Sequence, residues 1–97
     1  MNWTKERLEK DIGRLGFELD EESSYNWTIG YSFENVWYTL VSLDMRRPIL
    51  MDTLAHEDHI SDLMDDRTSR FNDEMFLDMM DIIYNFVTHY SKERQIK

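Results

Sequence analysis

Between Tyr25 and Phe33 the chain alternates without a fault. Tyr25, Trp27, Ile29, Tyr31 and Phe33 are large and apolar, and Asn26, Thr28, Gly30 and Ser32 stand between them. A period of two places all five apolar side chains on one face of a β-strand; a helix would scatter them around its circumference. The strand therefore needs a partner strand beside it and apolar material over one face, and the rest of the chain has to supply both. Glu34-Asn35 follows as a compact turn, with an asparagine that tolerates positive φ. Val36 to Leu43 is the return strand, rich in β-branched and aromatic residues. Its alternate sets, Val36/Tyr38/Leu40 and Trp37/Thr39/Val41/Leu43, are both largely apolar, which predicts a central strand covered on one face and partly on the other. Asp44 to Pro48 reads as a turn and Ile49-Leu50-Met51 as a third strand of the meander. Phe17-Glu18-Leu19 has the composition of a further short strand.

Helical spacing brackets this sheet. Over residues 4–15, Leu8, Ile12 and Leu15 recur at i, i+4, i+7, Thr4 is placed to cap the first turn, and Gly16 to end the helix in a left-handed conformation. A second helix is expected from Asp52 or Thr53 to about Asp66. It puts His56, Ile60, Leu63 and Met64 on one face and Asp58, Asp62, Asp65 and Asp66 on the other. A third, capped by Ser69 or Asn72, is expected over 72–92. Its polar stripe (Glu74, Asp78, Asp81, Asn85, Lys92) is narrow, and the apolar arc spans roughly 220°. Such a helix is sandwiched within the domain or covered by a partner on a second side. The predicted fold class is α+β: an N-terminal helix, a three-stranded antiparallel β-meander, and two C-terminal helices packed on one face of the sheet, as a single domain over residues 1–97.

The chain has no cysteine, which excludes disulfides, zinc–thiolate sites and cysteine nucleophiles. No apolar run approaches the roughly 18 residues of a membrane span, and the first six residues show no hydrophobic signal region. A cytoplasmic protein is the expectation, and the Asn-Trp-Thr triplets at Asn2 and Asn26 are read as chance matches to a glycosylation pattern. The net charge of −9 is unevenly laid out. Residues 15–45 hold six acids and no base, residues 52–81 hold ten acids against Arg67 and Arg70, and Arg46-Arg47 separates the two stretches. That field disfavours direct binding to nucleic acid or anionic lipid and attracts a basic partner.

Few motifs suggest catalysis. His56 and His59, at i, i+3 with Asp62 a turn on, have side-chain types that hold divalent metals, so a metal-dependent enzyme is one reading. The spacing is not that of His-Glu-x-x-His, and satisfied helix histidines are the plainer one. No serine lies in Gly-x-Ser-x-Gly, and three glycines leave no phosphate-cradling loop. No cofactor is expected. The distinctive feature is a pair of acidic ladders, Asp58/Asp62/Asp65 with Asp66 beside them and Glu74/Asp78/Asp81. Like charges at this spacing cost a helix a few tenths of a kcal/mol per pair, roughly. Acids also keep small proteins soluble, but regularly spaced anions on a rigid element suit a site built for a phosphate backbone.

The layout of one helix, an antiparallel sheet and further helices, with a strongly acidic surface, resembles some small phage-encoded inhibitors. Among these are anti-CRISPR proteins that block the DNA-binding groove of a CRISPR nuclease. The resemblance covers most of the chain in topology and rests on no matched residue. It implies an inhibitor that mimics nucleic acid. The expected function is a non-enzymatic interaction protein that binds a basic protein surface, such as a nuclease or nucleic-acid-binding protein, through Glu21, Glu22, Asp58, Asp62, Asp65, Asp66, Glu74, Asp78 and Asp81. The alternative is a homo-oligomer, a dimer for instance, assembling through the helix over 72–92 or the sheet edge.

Overall fold

The computed structural model describes residues 3–46 and 53–95. The elements run α1 (Lys5–Gly13), β1 (Glu18–Glu21), β2 (Asn26–Phe33), β3 (Val36–Asp44), β4 (Thr53–Ala55), α2 (Glu57–Asp65) and α3 (Asp73–Gln95). The strands form one antiparallel sheet in the order β1-β2-β3-β4. The sheet thus has four strands, not three. The stretch around Leu19 is a full edge strand, because Phe17 drops into the core and Leu19 pairs with Ile29. The expected strand at 49–51 lies outside the described residues. Thr53–Ala55, expected to begin the second helix, pairs instead with Leu43, Ser42 and Val41 and satisfies backbone groups that β3 would otherwise leave open. α2 accordingly starts at Glu57.

The expected hairpin is present. Glu34 and Asn35 both have positive φ, 52° and 66°, the mirror-image turn whose twist matches that of the flanking strands. β3 departs from regular alternation. Ile29 pairs with Val41 and Gly30 with Thr39, so Leu40 is an extra residue without a partner on β2. This β-bulge shifts the phase of the strand. Before it, Val36 and Tyr38 lie opposite Phe33 and Tyr31; after it, Val41 and Leu43 lie opposite Ile29 and Trp27. Leu40, Val41 and Leu43 are all buried in the same core. Tyr38, Leu40, Val41 and Leu43, which unbroken alternation divides between two faces, therefore converge on one, and the other face is partly covered, with Thr39 and Ser42 half-buried and Thr28 buried. What remains on the other face is Trp37, Thr39 and Ser42, opposite Ser32, Gly30 and Thr28. Tyr25, which the alternation assigned to the buried face, falls just outside β2; it is 41% exposed, with the Arg46 guanidinium 4.3 Å from its ring centre.

The helices close the core. Thr4 Oγ1 accepts from the Arg7 amide at 3.3 Å, and Gly16 takes φ 96° to end the α1 segment. Leu8 and Ile12 are fully buried against α3, whose Met79, Ile83, Phe86 and Val87 are buried too. Each such side chain contributes on the order of 1.5–3 kcal/mol by leaving water. Trp3 stacks on His89 at 4.3 Å and makes an edge contact with Phe86 at 6.1 Å, while the Arg7 guanidinium lies 3.6 Å from its ring centre. On α3's sheet-facing side, Phe86 and Tyr90 meet Trp27 at 6.3 and 6.0 Å. α3 thus meets α1 along one side and the Trp27 ring of β2 through Phe86 and Tyr90. Asn72 Oδ1 accepts from the Met75 amide at 2.9 Å and caps it.

Gly30 has a specific reason to be glycine. A Cβ there would run into the Trp37 indole and lie 2.6 Å from the Tyr38 carbonyl oxygen. Gly30→Val is expected to lower stability by about 1–3 kcal/mol, the usual cost of overpacking. Adding Trp37→Ala should recover only part of this loss, since the backbone oxygen stays. Thermal denaturation of the single and double variants measures both effects, and an undisturbed Gly30→Val melt would refute the close approach.

Candidate interaction surface

α2 is placed by the bulge. The Leu40 carbonyl accepts from the His56 amide at 2.8 Å, and the Thr39 carbonyl accepts from His59 Nδ1 at 2.8 Å. His56 Nε2 lies 2.8 Å from Ser42 Oγ. The two imidazoles stack with their centres 5.8 Å apart, and Tyr38 meets the edge of His59. Both histidines bind the helix start to β3. They line an open hollow of about 460 Å³ with Leu54, Ala55, Glu57 and Asp58. Among the described residues, no group of three or more histidine and carboxylate side chains is arranged to hold a metal ion.

With Ile60 and Leu63 buried, the opposite side of α2 carries Asp58, Asp62 and Asp65, all exposed. At 100° per residue the three fall within about 60° of one another, a single stripe. On α3, Glu74, Asp78 and Asp81 form a second exposed stripe at the same spacing, opposite buried Met79 and Ile83. Ion pairs among the described residues join Lys5 to Glu6, Glu9 and Glu21 and Arg46 to Asp44. None reaches these six acids. On α3 the large apolar side chains left exposed among the described residues are Leu77 and Tyr84.

The other three expected site residues have local partners. Glu21 holds Lys5 at 3.4 Å. Burial pulls the Lys5 ammonium down, but the hydrogen bond to Glu21 and the fields of Glu9, Glu21 and Glu6 outweigh it and leave its pKa raised. Glu22 Oε2 accepts from Asn26 Nδ2 at 3.0 Å, across the β1–β2 turn. Asp66 Oδ1 accepts from the Thr68 hydroxyl at 2.7 Å and the Thr68 amide at 2.9 Å, making the turn after α2. The Thr68 hydroxyl bond and the Thr68 amide, with the Ser69 amide, hold the Asp66 carboxyl below its ordinary range against the opposing effect of burial. Glu21 and Glu22 stand at the β1 edge of the sheet, whereas α2 follows β4 at the other edge, so the structure does not bring them together. The two edges are three strand spacings, roughly 14 Å, apart.

A feature the sequence reading missed lies on the polar side of the sheet. Trp37, 40% exposed, lies against Gly30, and its Nε1 donates to Thr39 Oγ1 at 2.8 Å. Glu18, Leu19, Asp20 and Trp37 line a groove of about 310 Å³. Glu18 Oε2 accepts from Ser32 Oγ at 3.2 Å. The available signal was Gly30, since a glycine inside a strand marks a close approach. Compared with family profiles, curated proteins and solved structures, the chain finds no match.

Two outcomes follow from this charge layout. Asp62→Asn relieves repulsion from Asp58 and Asp65, so it should raise stability by a few tenths of a kcal/mol per pair, roughly, at low salt. The gain should vanish in high salt, where exposed charges are screened; melts at the two ionic strengths test this. Asp66, with its pKa depressed on folding, contributes stability that is fully present above the unfolded carboxyl range and is lost as pH falls through the lower folded value. Asp66→Ala should therefore melt below the parent chain at about pH 7 and with it at about pH 2.

Proposed function

We propose that this is a non-enzymatic interaction protein that binds a basic protein surface, and that it acts as a nucleic-acid mimic inhibiting a nuclease or nucleic-acid-binding protein. The observation that carries this reading is the state of the six acids on α2 and α3. All are exposed, all recur at helical spacing, and none is neutralised by a cation among the described residues. Their mutual repulsion lowers the stability of their own helices, a cost that an attractive partner offsets. No ion pair among the described residues engages them, whereas Glu21, Glu22 and Asp66 divide their oxygens between the fold and solvent. We take both C-terminal helices to pack on one face of the sheet, which turns their acidic sides outward. The resemblance to small acidic phage inhibitors supports the same class by layout alone. No helix among the described residues is long and apolar enough to cross a membrane.

Self-association through α3 is the weaker reading. Most of the helix's apolar arc is covered by α1 and the sheet, so Leu77 and Tyr84 would have to carry the interface. The mimic reading is tested with the immobilised chain and an extract of its native source. The partner captured should be a basic protein released as salt rises, absent when Asp62→Lys and Asp65→Lys are combined, and blocked by the chain from binding its own nucleic acid. Capture indifferent both to salt and to the double charge reversal would sink the proposal.

A further inference from the structure

The polar face of the sheet holds an aromatic ring that the fold takes care to position. Gly30 makes room for the Trp37 indole, Thr39 Oγ1 takes its only hydrogen-bond donor, and the residue is still 40% exposed. With Nε1 satisfied, the exposed part of the ring offers a π surface and no polar group. Across β2, Glu18 pairs with Gly30 and Asp20 with Thr28, so both carboxylates project from β1 on the face that carries Trp37. The Ser32 hydroxyl, bonded to Glu18 Oε2, steadies the nearer one. No ion pair among the described residues involves Glu18 or Asp20. The groove between ring and acids is open.

We infer that this groove is a docking site for an arginine side chain of a basic polypeptide, with the guanidinium stacked on Trp37 and its N–H groups donating to Glu18 and Asp20. The inference rests on the proposed basic partner and adds an anchor that the helix acids do not provide. A planar, weakly hydrated guanidinium stacks on an indole and forks onto carboxylates at its edge, whereas a lysine ammonium is a point charge that stays hydrated. Charge complementarity thus selects a cation, and the ring beside the acids selects arginine among cations.

Titration with hexa-arginine and hexa-lysine peptides, read by calorimetry at fixed salt, tests the site. Hexa-arginine should bind more tightly than hexa-lysine. Trp37→Thr should weaken hexa-arginine about fivefold or more while leaving hexa-lysine, held by overall charge, nearly unchanged. Trp37→Phe, which keeps a ring, should retain most of the affinity and guards against a folding artefact, with circular dichroism checking each chain. Glu18→Gln with Asp20→Asn should weaken hexa-arginine to a similar degree. If both peptides lose affinity equally in Trp37→Thr, the arginine site is refuted. If hexa-arginine binding ignores Trp37, Glu18 and Asp20 but falls when Asp58, Asp62 and Asp65 become Asn, the inference fails and the acidic-surface reading stands. Failure of every chain to bind either peptide would overturn both.

Discussion

The return strand of the β2–β3 hairpin carries one residue more than the outgoing strand can pair, and the placement of much else in the molecule follows from how that residue is accommodated. Leu40 bulges, so Leu40 and Val41 both enter the core. The carbonyls of Thr39 and Leu40 become acceptors for His59 Nδ1 and the His56 amide, which fixes where α2 begins and brings Ile60 and Leu63 onto the core. In the other direction, the shifted phase leaves Trp37 on the polar face, against Gly30. One irregularity in a ladder of backbone hydrogen bonds thus sets a core, a helix start and a surface ring.

The charge is arranged on a different principle. Near the strands and turns, carboxylates are tied into the fold: Glu21 to Lys5, Asp44 to Arg46, Glu18 to Ser32, Asp66 to Thr68. Along the outward sides of α2 and α3 no such partner stands among the described residues. Exposed ion pairs stabilise little, so their absence costs the fold little. The field of the unpaired acids persists over about 8 Å at physiological salt, long enough to draw in and orient a cationic surface.

Much of the architecture was legible because local signals agreed with one another. The alternation from Trp27 to Phe33, the Glu34-Asn35 turn, the Thr4 and Asn72 caps and the wide apolar arc of the last helix each rest on a period or a side chain that acts within a few residues. The misreadings share a cause. A period-two reading assumes an unbroken ladder, so it puts Val41 and Leu43 on the face opposite Leu40, whereas the bulge brings all three into one core. Thr53–Ala55 reads locally as a helix start, because nothing local reveals that β3 has an open edge there. The acids of the helices were found from spacing alone. The groove at Trp37 was not, since it depends on register across three strands, from Glu18 through Gly30 to Trp37, and only the lone strand glycine hints at it.

The extra residue has a consequence for how the hairpin tolerates changes in length. Every cross-strand pair from Phe33–Val36 to Asn26–Asp44 is in register on either side of Leu40. Loss of Leu40 or Val41 would therefore close the ladder into a regular one and keep each remaining β2 partner opposite its present neighbour, at the cost of one apolar side chain from the core and of the bulged carbonyls that hold the start of α2. Loss of a residue elsewhere in β2 or β3 would slide the pairs beyond it by one and turn inward side chains outward. Within the central strands, the bulge is thus the one place where a deletion spares the register, and what it gives up instead is the seat of α2.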